Sequence, residues 1–412
     1  MLVRGETSHR HRSTPRIECV NLLVTVTVVL LAGLLVIITL VSYTARLVVA
    51  EPGRHRLFRY SLSTDGQRIY FTNEPATLAI GNYGLWFDQG KEGGGHALIG
   101  RVLSVSADNA VVEREVLSVT GGRLEDHSRG LWTGHVFGRP SELGIPFKSI
   151  ELTSAGRTLP CWLFTPAHLA DSCNWVVHIH GIRTTRLTTL RNVGVASRAG
   201  FVSIVPSFRS DAENVRGYAS GSGLGLSEWN DVEQAITYAR DHGAKNVILF
   251  GLSLGGLIAL LLATRSRNSD LVRGLILVGP VTNFPATIRY GAAQLGLPSW
   301  VGTVAMIPLK LSPWYRLAGT PAAIDFSSLQ LNDSRELLAV PTLVVQSPND
   351  DEVPYSETLR FANSNSTVTL SSSFKAFHTC EWNVDPAKFE STINNWLNDN
   401  RLTAKDLNGA VR

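Results

Sequence analysis

Residues 246–265 read NVILFGLSLGGLIALLLATR, a short β-branched apolar run, a glycine-flanked turn and a longer apolar run without proline. The first run has the length of a strand and the second that of a helix, so Gly251-Leu252-Ser253-Leu254-Gly255-Gly256 must convert strand into helix within a few residues. Both runs are apolar on every side and leave no face for water. Such a pair is stable only inside a layered α/β domain, where helices cover both faces of a mostly parallel sheet. The turn also carries chemistry. In G-x-S-x-G the chain bends so tightly that the residues flanking the serine must lack side chains, and the serine is held strained and accessible. The helix behind it aims its dipole and first N–H groups at any negative charge that forms there.

Other segments of the same kind surround this one. Residues 176–180 (VVHIH), 201–205 (FVSIV), 274–278 (GLILV) and 342–346 (TLVVQ) are short, apolar and β-branched, and each reads as a buried strand. Between them, residues 227–242 (SEWNDVEQAITYARDH) place Trp229, Val232, Ile236 and Ala239 on one helical face, with Ser227 as the expected N-cap. An insertion from 281 to about 335 carries Trp300, Val304, Ile307 and Leu311 at helical spacing and is expected to form a helical cap. Residues 57–147 differ: they are rich in Gly, Thr, Val and aromatics, with alternating runs at 100–105 and 111–119 and glycine turns at 93–95 and 121–122. These read as antiparallel strands. The expected organisation is a basic tail at 1–19, an apolar span at 20–44, a β-rich region at 57–147 and a doubly wound α/β domain at 148–400.

A serine hydroxyl is a poor nucleophile near neutral pH, so Ser253 requires a base, and the base requires an orienting carboxylate. Behind a strand-to-helix serine the acid and then the histidine follow in chain order. Of eleven histidines only His378 lies after Ser253. The intervening aspartates are Asp270, Asp325, Asp333, Asp350 and Asp351. Asp350 sits just past the strand TLVVQ, where a doubly wound sheet presents its functional groups, and is preferred to Asp351 one residue on. Attack on a carbonyl creates an oxyanion that needs fixed donors, each worth about 10²–10³ in rate. The backbone N–H of Leu254, directly after the nucleophile, is one candidate. The backbone N–H of Ile182, in the loop His180-Gly181-Ile182 after the strand VVHIH, is the other. His180 is expected to support that loop, and His178 to be a packed strand residue.

Only 17% of residues are charged, against about 25% in an average soluble chain. Part of the deficit lies in residues 20–41, which hold no charge and are long enough to cross a bilayer. Val48 and Ala50 leave open a second reading, a cleaved signal peptide, although the apolar stretch exceeds the usual 7–15 residues or so. Arginines flank the span equally, four before it (Arg4, Arg10, Arg12, Arg16) and four after it (Arg46, Arg54, Arg56, Arg59). The count does not set orientation, and the short tail is expected to stay inside with the larger domain outside. With Glu6 and Glu18, the tail holds two of the four net positive charges, and no basic run interleaved with aromatics follows, which excludes a nucleic-acid partner. The four cysteines, Cys19, Cys161, Cys173 and Cys380, lack metal-ligand spacing, so neither metal nor cofactor is expected. Cys161 and Cys173 are expected as separate thiols, a bridge being the alternative.

With these residues in place, the chain resembles the α/β-hydrolase superfamily over about residues 148–400. It is similar in particular to membrane-anchored, actinobacterial-type hydrolases of unassigned substrate. That likeness rests on Gly84-Leu85-Trp86-Phe87, Trp175-Val176-Val177-His178-Ile179-His180-Gly181, Phe208-Arg209-Ser210-Asp211, Leu226-Ser227-Glu228-Trp229-Asn230-Asp231-Val232-Glu233, and His378-Thr379-Cys380-Glu381-Trp382-Asn383-Val384-Asp385-Pro386. The group usually has Tyr-Arg-Asn-Asp at 208–211 and methionine at 254; neither change touches a group the chemistry needs, since Leu254 acts through its backbone. The resemblance implies hydrolysis of an ester, thioester or amide through Ser253, His378 and Asp350, with a small acyl substrate, lipid among the candidates, and the bilayer as partner. A peptidase or acyltransferase would use the same residues, and a non-catalytic membrane protein on the same scaffold is the alternative from another class. Arg183, Arg186 and Arg209 are candidates for an anionic group at the pocket mouth, or for ordinary surface pairing.

Overall fold

The computed structural model describes residues 15–49, 57–88, 94–211, 221–332 and 338–409. The arginines Arg4, Arg10, Arg12, Arg54 and Arg56, together with Ala50, Gly93 and Asp333, lie outside the described residues. Among the described residues, two sheets account for all the strands. In the first, β1 (Leu57–Leu62), β2 (Arg68–Thr72), β3 (Tyr83–Phe87), β4 (Gly95–Val105), β5 (Val111–Thr120) and β6 (Arg129–Thr133) close into an antiparallel barrel in the order β1-β2-β5-β4-β3-β6. Its interior packs Ile69, Phe71, Leu85, Phe87 and Ile99, and Arg114 is fully buried against the Tyr83 and Trp132 rings. A guanidinium is tolerated there because each of its nitrogens has acceptors. Arg114 donates to the carbonyls of Gly100 (2.8 Å), Thr77 (2.9 Å), Ala79 (2.8 Å) and Gly81 (2.6 Å), fastening the 77–81 loop to the barrel.

The second sheet comprises β7 (Phe147–Ser154), β8 (Arg157–Phe164), β9 (Asn174–Ile179), β10 (Val202–Pro206), β11 (Asn246–Leu252), β12 (Val272–Val278), β13 (Thr342–Val345) and β14 (Val368–Ser371), in the order β14-β13-β12-β11-β9-β10-β8-β7. Strands β9 to β14 pair in parallel, and the hairpin β7–β8 extends the sheet antiparallel at the β10 edge. Alternation along β11 shows why its sequence is apolar throughout. Val247 and Leu249 enter the core beneath the helices Trp229–Asp241 and Leu254–Arg265, while Ile248, Phe250 and Leu252 enter the core beneath Pro386–Asp399. Each such side chain contributes about 1.5–3 kcal/mol on burial. The helix Leu254–Arg265 is buried from Leu254 to Leu262, so it has no polar stripe.

The insertion folds into the helices Phe284–Gln294, Ser299–Lys310 and Trp314–Ala318. Of the expected row, Trp300 and Ile307 lie on the helix Ser299–Lys310 and face outward, Val304 is half-buried, and Leu311 is exposed just past the helix end. At the N-terminus the apolar helix runs from Pro15 to Val49, longer than the expected span at both ends. Its described side chains at 20 and 22–37 are exposed, whereas Ile38, Val41, Ala45, Val48 and Val49 are half-buried or buried and lie on one helical face. That face packs on the second and third cap helices. Two further expectations are settled by local geometry. The helix expected to start behind Ser227 begins at Trp229, and Ser227 Oγ donates to Glu228 Oε2 (3.0 Å) instead of capping it. Cys161 and Cys173 are both free thiols, as is Cys380.

Candidate active site

A single residue makes the turn between β11 and the helix Leu254–Arg265: Ser253, at φ 54° and ψ −117°. Backbone in this region costs a residue with a Cβ about 1–3 kcal/mol, so the surroundings must hold it. They do so through Ser253 N–H, which donates to Val278 O on β12 (2.9 Å), and through Val281 N–H, which donates to Ser253 O (3.3 Å). The flanking glycines are demanded by contact. A Cβ on Gly251 would sit 2.3 Å from Gly255 O, and one on Gly255 would sit 2.2 Å from Ile179 O.

Asp350 and His378 come together at the same end of the sheet. His378 Nδ1 lies 2.9 Å from Asp350 Oδ1 and 2.8 Å from Oδ2. The carboxylate is in turn held by the N–H groups of Glu352 (2.9 Å) and Val353 (2.8 Å) on Oδ1 and by Gln346 Nε2 (2.9 Å) on Oδ2. Asp351 does something else: its Oδ1 accepts from the backbone N–H of His378 (2.9 Å), so it fixes the loop and not the ring. Of the remaining aspartates, Asp270 pairs with Arg240, and Asp325 accepts from Ser327 N–H (3.0 Å) as an N-cap. The imidazole rests against Gly279, where a Cβ would fall 3.0 Å from Cε1 and 3.1 Å from Nδ1. Gly279 directly follows Val278, the residue bonded to Ser253, which makes Ser253 and His378 neighbours across β12.

Burial alone would push the His378 imidazolium pKa down, but the adjacent Asp350 charge and its hydrogen bond prevail and raise it. Asp350 shows the mirror image: burial pushes its carboxyl up, and His378 together with the backbone donors holds it below the usual range. An ionised carboxylate accepts only, so Nδ1 carries the proton and neutral His378 presents Nε2 as an acceptor. Nε2 is buried and has no hydrogen-bond partner, Ser253 Oγ included. The structure therefore joins Asp350 to His378 and leaves Nε2 unbonded, with Ser253 linked to this region through Val278.

The two expected oxyanion donors sit on either side of Ser253. Leu254 opens the helix, and Gly181, just before Ile182, approaches Ser253 so closely that a Cβ there would be 3.2 Å from Ser253 Cβ. Among the described residues neither the Leu254 nor the Ile182 N–H has an acceptor. His180 braces the loop: Nδ1 donates to Gly181 O (2.8 Å), Nε2 lies 3.1 Å from Asp211 Oδ2, and the ring stacks on Phe208 at 4.0 Å. His178 is buried on β9 against Ser203 Oγ (3.0 Å), and burial pushes its pKa down to about 3. The motif 208–211 meets the motif 226–233 here. Arg209 forms a two-point pair with Asp231 (2.7 and 2.6 Å), and Glu228 accepts from Ser210 Oγ (2.9 Å), Ser222 Oγ (2.7 Å) and Gly223 N–H (2.8 Å). The arginines expected at the mouth are thus engaged within the protein. Arg186 lies over the Trp162 ring at 3.8 Å, and Arg183 donates to Leu47 O (2.5 Å) and Val48 O (3.2 Å) at the end of the apolar helix. A cavity of about 620 Å³ opens between the cap helices, lined among others by Arg289, Met306, Lys310 and Phe326, and none of its lining residues belongs to this site.

Several supporting residues escaped sequence reasoning. Fully buried Arg191 donates to Thr379 O, next to His378, and to Gly134 O (3.2 Å) and Asn383 Oδ1. Asn383 Nδ2 donates to Asn82 O (2.7 Å), beyond the loop that Arg114 holds, so the barrel is latched to the histidine loop. Glu381, whose carboxyl burial pushes up to about 7, accepts from Ser347 N–H (3.0 Å). These contacts join residues from 34 to 301 positions apart, and no local pattern announces them.

Residues 176–375 match the model of the alpha/beta hydrolase family, and residues 61–133, most of the barrel, match a domain of unknown function, DUF8805. No curated protein matches the chain. Solved structures similar to it include the esterase Pf2001 of Pyrococcus furiosus, 17% identical, covering 64% of this chain and 96% of that one at a TM-score of 0.49. Est1E of Butyrivibrio proteoclasticus is 18% identical, with 61% and 98% covered at 0.45. EstE1, a carboxylesterase from a metagenomic library, is 15% identical, with 64% and 94% covered at 0.46.

Proposed function

We propose, from the premise that residues 176–375 form an α/β-hydrolase domain, that the protein is a membrane-anchored serine hydrolase that cleaves carboxylic esters. Ser253 Oγ attacks the ester carbonyl while His378 Nε2 takes its proton, and Asp350 steadies the resulting imidazolium. The N–H groups of Leu254 and Ile182 receive the oxyanion. Collapse expels the alcohol, which takes the proton from His378 and leaves an acyl group on Ser253. Water, deprotonated by the same Nε2, then releases the acid and restores the serine. No metal or cofactor enters these steps.

The observation that carries this reading is the His378–Asp350 pair, with both carboxylate oxygens on Nδ1 and a partnerless Nε2 beside Ser253. Closure of Ser253 Oγ onto Nε2 belongs to the substrate complex, where catalytic hydrogen bonds tighten. The helix Pro15–Val49 is read as the anchor, with the catalytic domain on the outer face. The test is turnover of p-nitrophenyl esters of increasing chain length, with a peptide amide beside them, by wild type and Ser253→Ala. Ester turnover that vanishes in the variant supports the reading, and equal turnover by both proteins overturns it. Protease shaving of intact cells reads the side of the membrane.

A further inference from the structure

We infer that the outer face of the cap is a second membrane contact, seated on a leaflet rich in anionic lipid beside the helical anchor; this rests on the anchor reading above. The large apolar side chains that the cap exposes are Leu295, Leu297, Trp300, Ile307, Leu311 and Leu317, with Leu295 at 76%, Trp300 at 63% and Leu317 at 61%. A protein of this kind rarely leaves so many large apolar groups to water without a partner.

The apolar helix identifies the occupant. Its exposed stretch, residues 20–37, is roughly 27 Å long at about 1.5 Å per residue, close to the ~30 Å of a hydrocarbon core. With that stretch in the core, Ile38 and Val41 fall at the headgroup level, and from there onward the helix packs on Ser299–Lys310 and Trp314–Ala318. The junction is fixed by Val49 O, which accepts from Ser222 N–H (2.9 Å), and by Gly319 O, which accepts from Gly221 N–H (2.6 Å). The cap helices are therefore held at the depth where the anchor leaves the lipid, and the exposed Trp300 is of the residue type enriched at membrane interfaces.

Charge selects the lipid. From residue 281 to 324 the chain has no Asp or Glu, and its charged residues are Arg289, Lys310 and Arg316. Arg289 and Lys310 line the 620 Å³ cap cavity together with Asp325, and Lys310 lies over the Phe326 ring at 5.5 Å, so the cap carries three cations against one nearby carboxylate. An excess of cations on an element with an apolar exposed face is what an amphipathic surface element presents to anionic headgroups. A protein partner or a second copy would not need the face to lie at the anchor's exit.

The test uses the full chain in liposomes of phosphatidylcholine with and without phosphatidylglycerol. Benzoylphenylalanine is introduced in turn at Leu295, Trp300 and Leu317, at Val29 in the anchor and at Leu117 on the barrel, and lipid adducts are weighed after illumination. Lipid adducts are expected at Val29 and at all three cap positions but not at Leu117, with the cap yield rising severalfold with phosphatidylglycerol and that rise lost in Lys310→Gln/Arg316→Gln. Cap yields no higher than at Leu117, or cross-links to a second copy, with Val29 still labelled, would overturn this proposal alone. Absence of an adduct at Val29 would overturn the anchor and this proposal with it. Because no step requires turnover, a failure of the esterase reading is seen separately.

Discussion

His378 Nδ1 meets both oxygens of Asp350, at 2.9 and 2.8 Å, while Asp351 reaches only the backbone N–H of His378. Two adjacent aspartates thus serve one histidine in different ways, and substitution separates them. Asp350→Asn is expected to lower kcat by about 10⁴-fold, since the amide no longer enforces the productive tautomer. Asp351→Asn loses one backbone hydrogen bond and is expected to stay within about tenfold of wild type. The pH profile gives a second reading. Asp350 raises the His378 pKa, and the base works only when neutral, so activity should rise with pH along a limb above the ordinary histidine value of 6.5. In Asp350→Asn that limb should move to lower pH.

Gly279 tests how closely the imidazole is seated. It has φ 53°, and a Cβ there would press on His378 Cε1. Gly279→Ala is expected to reduce stability by about 1–2 kcal/mol for the left-handed backbone. Its effect on kcat/KM should be larger, about 10²-fold, because a small displacement of the base is magnified in the transition state. Melting temperature and steady-state kinetics on the same preparation distinguish the two.

Arg191 tests whether the barrel matters for the chemistry. In Arg191→Met the carbonyls of Thr379 and Gly134 and Asn383 Oδ1 lose their donor, at an expected cost of at least about 2 kcal/mol. Loosening the histidine loop should lower kcat more than it changes KM, and Arg191→Lys should restore part of it. A loss of stability with unchanged kcat in the folded fraction would make the latch purely structural.

Acid stability follows from His178, which is buried neutral on β9 with its pKa pushed down to about 3. Between pH 3 and 6.5 the unfolded chain binds a proton that the folded chain does not, so stability rises with pH across that window and falls on acidification. One such group contributes at most about 1.4 kcal/mol per pH unit. Melting curves from pH 7 to pH 4 should show a shallower decline for His178→Gln than for wild type.

The α/β half of the fold was legible because its signals are local. Apolar runs such as 246–250 and 274–278 can only be strands buried on both faces, and 251–256 can only be the turn between strand and helix. Asp350 was legible from its place just after a strand. The barrel was legible only as a set of antiparallel strands: its closure pairs β1 with β6 and β3 with β6, between residues far apart in sequence. The contacts of Arg114, Arg191 and Asn383 were invisible for the same reason, although Asn383 lies in a motif that the sequence singles out, since their partners are brought near by the fold alone. The cap row of Trp300, Ile307 and Leu311 shows a further limit. Helical periodicity identifies an apolar face without saying whether protein or another medium covers it.

Covalent labelling of Ser253 bears on the catalytic reading most directly. The membrane fraction is treated with a fluorophosphonate, and the labelled peptide is mapped by mass spectrometry in wild type, Ser253→Ala and His378→Ala. The expected result is a single phosphonyl adduct on Ser253 in wild type, none in Ser253→Ala and strongly slowed labelling in His378→Ala. An unmodified Ser253 in folded wild-type protein, or equal labelling in all three, would contradict the role given to it.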